Sequence, residues 1–170
     1  MAYKYETDGT KYGKYVVKDP NIVLGIAGDD HERPHHDFGA DNFIKGLTCP
    51  DQVYFDGEIV KKRGIEIAKP HLVEIGWTWE IPHPNPHVLA HSHPFDEFVL
   101  FIGSNTQDLQ DFGGEIEFTI GEGDDAEVHI IDTTCAVFFP AGLPHGPIVY
   151  KRVDKPHIMI VMGLETDDYY

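Results

Sequence analysis

Two short stretches of this 170-residue chain carry the residue types that hold a metal ion. His91-Ser92-His93-Pro94-Phe95-Asp96-Glu97 offers two imidazoles and a carboxylate, and Pro140-Ala141-Gly142-Leu143-Pro144-His145 brings a third imidazole after a Pro/Gly turn. Side chains alternate faces along a strand, so His91 and His93 project to the same side, about 6.6–7 Å apart along the backbone. Two imidazoles at that spacing can share one cation. Pro94 cannot donate a ladder hydrogen bond, so the chain bends there, and Glu97 keeps the parity of the two histidines. Nitrogen plus carboxylate donors suit Fe(II), Mn(II), Ni(II) or Zn(II), and geometry rather than affinity decides among them. The candidate ligands of one divalent transition metal are therefore His91, His93, Glu97 and His145. Any single one of the 11 histidines is more often a surface or hydrogen-bonded residue than a ligand. The specificity lies in the spacing of the set.

Strands must position these residues. Residues 72–81 alternate strictly, with Val73, Ile75, Trp77, Trp79 and Ile81 on one face and Glu74, Gly76, Thr78 and Glu80 on the other, which predicts a half-buried antiparallel strand. Further strands are predicted over residues 88–93, 98–102, 115–120, 128–131, 136–139, 147–153 and 157–164, separated by Gly and Pro punctuation. Many short strands without a long helical period indicate a β-sandwich or barrel. The first 69 residues have weaker periodicity, with possible strands at 15–17, 22–26, 53–55 and 64–68 and one short helical turn within 37–46. They read as an N-terminal extension that adds edge strands or crosses to a partner, and residues 70–170 as the barrel. His31, His35 and His36 fall in a charged stretch broken by Pro34 and read as a solvated loop. His83 and His87 flank a Pro-rich turn and read as rim residues. The acidic run from Glu115 to Glu127 lacks the register of a calcium loop and alternates with apolar residues, as a solvent-facing hairpin would. No Gly-rich phosphate loop and no Gly-x-Ser-x-Gly nucleophile turn is present.

Composition narrows the partners. A hydrophobic fraction of 41% allows a sizeable core in one domain. A net charge of −16 argues against nucleic acid and against anionic membrane surfaces. No apolar run approaches the ~20 residues of a membrane span, and the N-terminus lacks a hydrophobic signal region, so the expected compartment is the cytoplasm. Cys49 and Cys135 read as reduced, structural thiols. Between Pro70 and Tyr150 there is no lysine or arginine, while 13 acids fall in the same stretch. A pocket built from that segment has no cation for a phosphate or sulfate unless Lys61, Lys62, Arg63, Lys151 or Arg152 reaches in. The expected substrate is a small neutral or weakly acidic organic molecule, with the metal as its positive partner.

At these residues the chain resembles the cupin superfamily. The first cupin motif is matched by His91, His93, Glu97 and Gly103, and the second by Pro140, Gly142 and His145, with the resemblance spanning roughly residues 70–164. It implies a double-stranded jelly-roll β-barrel, the same four metal ligands inside it, and a homodimer. The family pattern has glycine where this chain has Asn85 and Thr134, and asparagine where it has Val149. Residues 104–112 read as an inserted loop between the motifs. Phe98, Leu100 and Ile102 are apolar on the face opposite the ligands, which fits burial under a second sheet, the extension or a partner subunit.

Three histidines and one carboxylate leave about two positions open on an octahedral metal, enough for a bidentate substrate or for substrate and dioxygen. With Fe(II), the favoured metal, the expected activity is that of a non-haem dioxygenase. Metal-dependent isomerase or lyase chemistry comes second, and a non-catalytic metal- or ligand-binding cupin third. Glu97 is the candidate catalytic base, and Trp77, Trp79, Phe101 and Phe139 are the candidate substrate-pocket wall from strand parity.

Overall fold

The chain folds as an all-β protein. The structure, a computed structural model, describes residues 9–16, 21–23, 45–47, 51–55, 63–65, 72–86 and 88–165. Among the described residues, ten strands follow one another: β1 (Asn21–Val23), β2 (Lys45–Leu47), β3 (Asp51–Phe55), β4 (Leu72–His83), β5 (Asp96–Gly103), β6 (Gly114–Ile120), β7 (Glu127–Ile131), β8 (Cys135–Phe139), β9 (His145–Val153) and β10 (His157–Leu164). The larger antiparallel sheet runs β1-β3-β4-β10-β5-β8, with β2 also paired to β4, and the smaller runs β7-β6-β9. From β7 onward the chain alternates between the sheets, which lays one over the other. Strands β2 and β3 of the N-terminal part pair with β4, and β1 pairs with β3 to form the edge of the larger sheet.

Burial follows the two-residue period wherever a strand has one wet and one dry face. On β5, Glu97, Val99 and Phe101 are buried between less buried neighbours, and on β6 the buried set is Gly114, Ile116 and Phe118. The core combines Val99, Phe101, Phe139 and Val161 from the larger sheet with Ile116, Phe118, Ile131, Ile148 and Tyr150 from the smaller. Phe112, at the end of the inserted loop, and Val88 complete it.

Three expectations need correction. Residues 88–93 do not form a continuous strand: only Val88 and His91 make bridges, to Ile148 and His145 of β9. Prolines at 86 and 94 bound the segment and Pro147 faces it, so the donors a full ladder requires are missing. Residues 13–15 form a single 3-10 turn rather than the start of a strand, because Gly13, Tyr15 and Val16 donate to carbonyls three residues back. Third, the apolar face of β4 points out of the barrel. Gly76 and Thr78 are buried, whereas Trp77 is 37% and Trp79 49% exposed. Parity separates two faces but does not say which is inside. The pairing with β10 decides it, since Thr78 lies opposite the fully buried His157.

Lys45, within the predicted helical turn, belongs to β2; residues 37–44 lie outside the described residues, as do 66–68 of another predicted strand. Among the described residues, no helix is long and apolar enough to cross a membrane.

Candidate metal centre

The second motif is a turn that docks on the first. Leu143 N donates to the Pro140 carbonyl (3.0 Å), and Gly142, at the third position of that turn, has φ = 81°. This is the type II geometry, in which a glycine removes the Cβ clash of a positive φ. The neighbouring amides are pinned across: Ala141 N donates to Asp96 Oδ1 and Gly142 N to the His93 carbonyl, both at 2.8 Å. His91 and His145 then exchange two backbone hydrogen bonds of 2.8 Å. Gly146, next in the chain, has φ = 85°, and a Cβ there would run into the Leu89 carbonyl. These contacts bring residues far apart in the chain to one point.

The three imidazoles converge there. Ligand-type atoms of His91, His93 and His145 all lie within 4.8 Å of one another. Ring centroids are 4.3 Å apart for His91 and His145, 4.9 Å for His93 and His145, and 5.7 Å for His91 and His93. Glu97, 3% exposed, reaches two of the rings: its Oε2 is 3.0 Å from His93 Nε2 and its Oε1 is 3.6 Å from His145 Nε2. All four ligand candidates therefore meet, three as a mutual cluster and the carboxylate against its side.

The donor set fits a cation. Each Nδ1 faces a backbone carbonyl: His91 at 2.8 Å from Leu89, His93 at 3.0 Å from Phe95, and His145 at 2.9 Å from Leu143. A carbonyl only accepts, so these contacts place a proton on each Nδ1, and in the neutral ring Nε2 is left with a lone pair. That arrangement orients imidazoles for ligation. The Nε2 of His145 is buried without a hydrogen-bond partner. A carboxylate oxygen facing the lone pair of His93 Nε2 is repulsive until a proton or a metal ion stands between them.

Electrostatics points the same way. Burial pushes the His145 imidazole down to about 4, against the opposing pull of the Leu143 carbonyl and of Glu97, while His91 and His93 lower it further. His91 is also lowered, chiefly by burial, with the Leu89 carbonyl opposing. Neutral imidazole is the form that binds metal.

The surroundings are aromatic. Phe139, fully buried, stacks on His145 with centroids 4.2 Å apart and planes 18° apart. Phe101 is fully buried too, edge-on to Phe112 and Phe118, and two inward positions along β5 from Glu97. Trp77 and Trp79 stand on the outer face and line no interior wall. Phe95 was not among the sequence candidates, yet it lies flat on His93 at 4.0 Å and 5°. Phe118 was also missed; it is 5.2 Å from Phe139 and 6.5 Å from His145. The alternation of β6 places Phe118 inward, which was the available signal. For Phe95 the sequence held none.

The departures from the cupin pattern have local uses. Asn85 holds the Tyr150 backbone from both sides, donating from Nδ2 to its carbonyl (2.8 Å) and accepting from its amide at Oδ1 (2.9 Å). Thr134 Oγ1 accepts from Gly103 N at 3.2 Å. Val149 lies opposite Glu117 on β6.

No described cation enters the site. Lys151 pairs with Glu117 at 3.3 Å and Arg152 with Asp154, all partly exposed, while Arg63 is buried and donates to the Val16 carbonyl at 3.0 Å. Lys61, Lys62, His31, His35, His36, His87 and Cys49 lie outside the described residues. His83 is exposed at the end of β4, Cys135 is a free thiol, and residues 122–127 of the acidic run are exposed.

No protein-family model and no curated protein matches the chain. Among solved structures it is similar to the hydroxypropylphosphonic acid epoxidase from S. wedmorenis, at 13% identity over 55% of this chain and 43% of that one, with a TM-score of 0.36. It is similar to an RmlC-like cupin from Shewanella frigidimarina, at 15% identity over 79% of this chain and 93% of that one, with a TM-score of 0.41. A third is the polyketide cyclase RemF from Streptomyces resistomycificus, at 12% identity over 71% and 66% of the two chains, with a TM-score of 0.43. The match covers less than half of the epoxidase's own length. The all-β fold in two antiparallel sheets agrees with the fold that the cupin resemblance of the sequence implies.

Proposed function

We propose that this chain is a mononuclear metal-binding cupin that acts as a non-haem, metal-dependent dioxygenase on a small neutral or weakly acidic organic molecule. His91, His93 and His145 hold the ion through Nε2, and Glu97 supplies the carboxylate. The observation that carries the reading is the set of three Nδ1–carbonyl contacts, which turns the Nε2 atoms of His91, His93 and His145 toward one point. Fe(II) is the favoured ion among those the donors suit, with Mn, Ni and Zn as alternatives. When bound, such an ion supplies a positive charge and open positions for substrate and dioxygen. The chain's own residues bind and orient: Phe139 and Phe118 wall the space beside His145, and Phe95 fixes His93. The absence of lysine and arginine from residues 70–150 supports a substrate without a phosphate or sulfate group.

Metal-assisted isomerisation or lyase chemistry is the second reading, favoured by Glu97, a buried carboxylate placed to move a proton. Oxygen consumption during turnover separates the two. A cytoplasmic homodimer is part of the proposal, supported by the exposed apolar outer face of the larger sheet at Trp77, Trp79, Ile81 and Phe138. Elemental analysis of the chain purified without added metal, followed by an oxygen-electrode screen of small carboxylates, diketones and phenols, tests the function. Oxygen uptake that requires His93 supports it; turnover indifferent to oxygen removes the dioxygenase.

A further inference from the structure

The barrel has a second polar point, far from the imidazole cluster. Along β10, Gly163 lies opposite Glu97 and His157 lies opposite Gly103, so six residues of β5, roughly 20 Å of strand, separate the two levels. His157 is fully buried and directly across β4's Thr78, which is also fully buried. Thr78 Oγ1 is 3.5 Å from the hydroxyl of Tyr150, itself 2% exposed. The Tyr150 ring lies nearly parallel to the imidazole, 9° off, with centroids 5.8 Å apart. Phe112 covers the imidazole at 4.2 Å. Gly114 makes room for it, since a Cβ there would stand 3.3 Å from His157 Cε1.

Neither ring nitrogen of His157 makes a hydrogen bond of ordinary geometry. The Lys155 carbonyl leans on the ring without completing one. A neutral imidazole has one donor and one acceptor nitrogen. The nitrogen that faces the carbonyl carries the proton, which leaves the other as an acceptor in a sealed interior. Burial pushes this imidazole down to about 4, opposed by the Lys155 carbonyl, so it is neutral at pH 7. The 3.5 Å separation of Thr78 and Tyr150 is long for two hydroxyls in direct contact. It suits a pair that shares a third partner. Native interiors satisfy nearly all their buried polar atoms, through protein or ordered water.

We propose that His157, Tyr150 and Thr78 form an internal binding site for one small neutral molecule, water, which donates to the unprotonated nitrogen of His157 and accepts from the Tyr150 or Thr78 hydroxyl. The ligand class follows from the partners. No charged side chain is among the three, so an ion has no counter-charge, and a single molecule must both donate and accept. A water needs two to four polar partners, and these residues provide them. The proposal is independent of the metal reading, because no candidate ligand takes part.

A crystal structure of the full chain at a resolution that places internal waters tests it. The expected result is one density peak, as well ordered as the surrounding side chains, about 2.7–3.2 Å from a His157 nitrogen and from Tyr150 Oη or Thr78 Oγ1. In Thr78→Val or Tyr150→Phe crystals the peak weakens or is lost. A direct hydrogen bond from His157 to Tyr150 or Thr78 with no peak between them overturns the proposal, and so does a dry site. Should either variant fail to fold, the wild-type density alone decides. Nitrogen-15 spectra of histidine-labelled protein add an independent reading: His157 as one fixed neutral tautomer with a water cross-peak supports the site, and fast tautomer exchange without one opposes it.

Discussion

Glu97 Oε2 stands 3.0 Å from His93 Nε2, while Nδ1 of the same ring faces the Phe95 carbonyl at 3.0 Å. The ring donates from Nδ1 to that carbonyl, so in the neutral imidazole the carboxylate faces a lone pair. One cation shared by the two resolves that opposition, and His145 Nε2, 3.6 Å from the other oxygen of Glu97, adds a third donor.

Removing a ring from this set should weaken metal binding. His145→Ala is expected to weaken metal affinity by more than the roughly 10–100-fold that the loss of an outer hydrogen-bond partner costs. Competition against a chromophoric chelator measures it. Unchanged affinity would move the site elsewhere.

Asp96 is expected to matter through one hydrogen bond. Its Oδ1 accepts from Ala141 N at 2.8 Å and so ties the turn that carries His145 to the strand that carries Glu97. Asp96→Ala should lower metal affinity about tenfold, whereas Asp96→Asn keeps a carbonyl acceptor and should restore most of it. Equal losses in both variants would implicate the charge instead.

Asn85 makes two hydrogen bonds to the Tyr150 backbone, in the place where the cupin pattern has glycine. Asn85→Gly should destabilise the chain by about 1–3 kcal/mol, read as a fall in the urea midpoint at constant m. A midpoint that does not move would mean that solvent replaces both bonds without loss.

Stability should fall in mild acid because of His157. Its folded pKa, about 4, is lower than the ordinary 6.5, so the unfolded chain binds more protons between those values. The contribution is complete above pH 6.5 and is lost as the pH falls toward 4. Within that window the slope from this one group is at most about 1.4 kcal/mol per pH unit. Urea titrations of the wild type and of His157→Phe across the window measure it. The variant should show the shallower dependence, and parallel curves would contradict the assignment.

The convergence of the three candidate imidazoles was legible because their spacing is a local property: a two-residue period puts His91 and His93 on one side, and Pro-x-Gly specifies the turn before His145. Strands β4 to β10 were legible for the same reason. The face of β4 was not, because Trp77 and Trp79 alternate with Gly76 and Thr78, and only pairing with His157 on β10 shows that the smaller residues are inside. The partial strand at residues 88–93 depended on Pro147, more than fifty positions away. Phe95 depended on a ring contact that no period encodes.

The central claim is that His91, His93 and His145 hold one metal ion beside Glu97. X-ray absorption at the metal edge, on the chain loaded with one equivalent of Fe(II), tests it most directly. The prediction is a single nitrogen/oxygen-coordinated site with the outer-shell signature of three imidazoles, reduced to two in His145→Ala. A chain that retains no ion, or an imidazole signature that His145→Ala leaves unchanged, would contradict it.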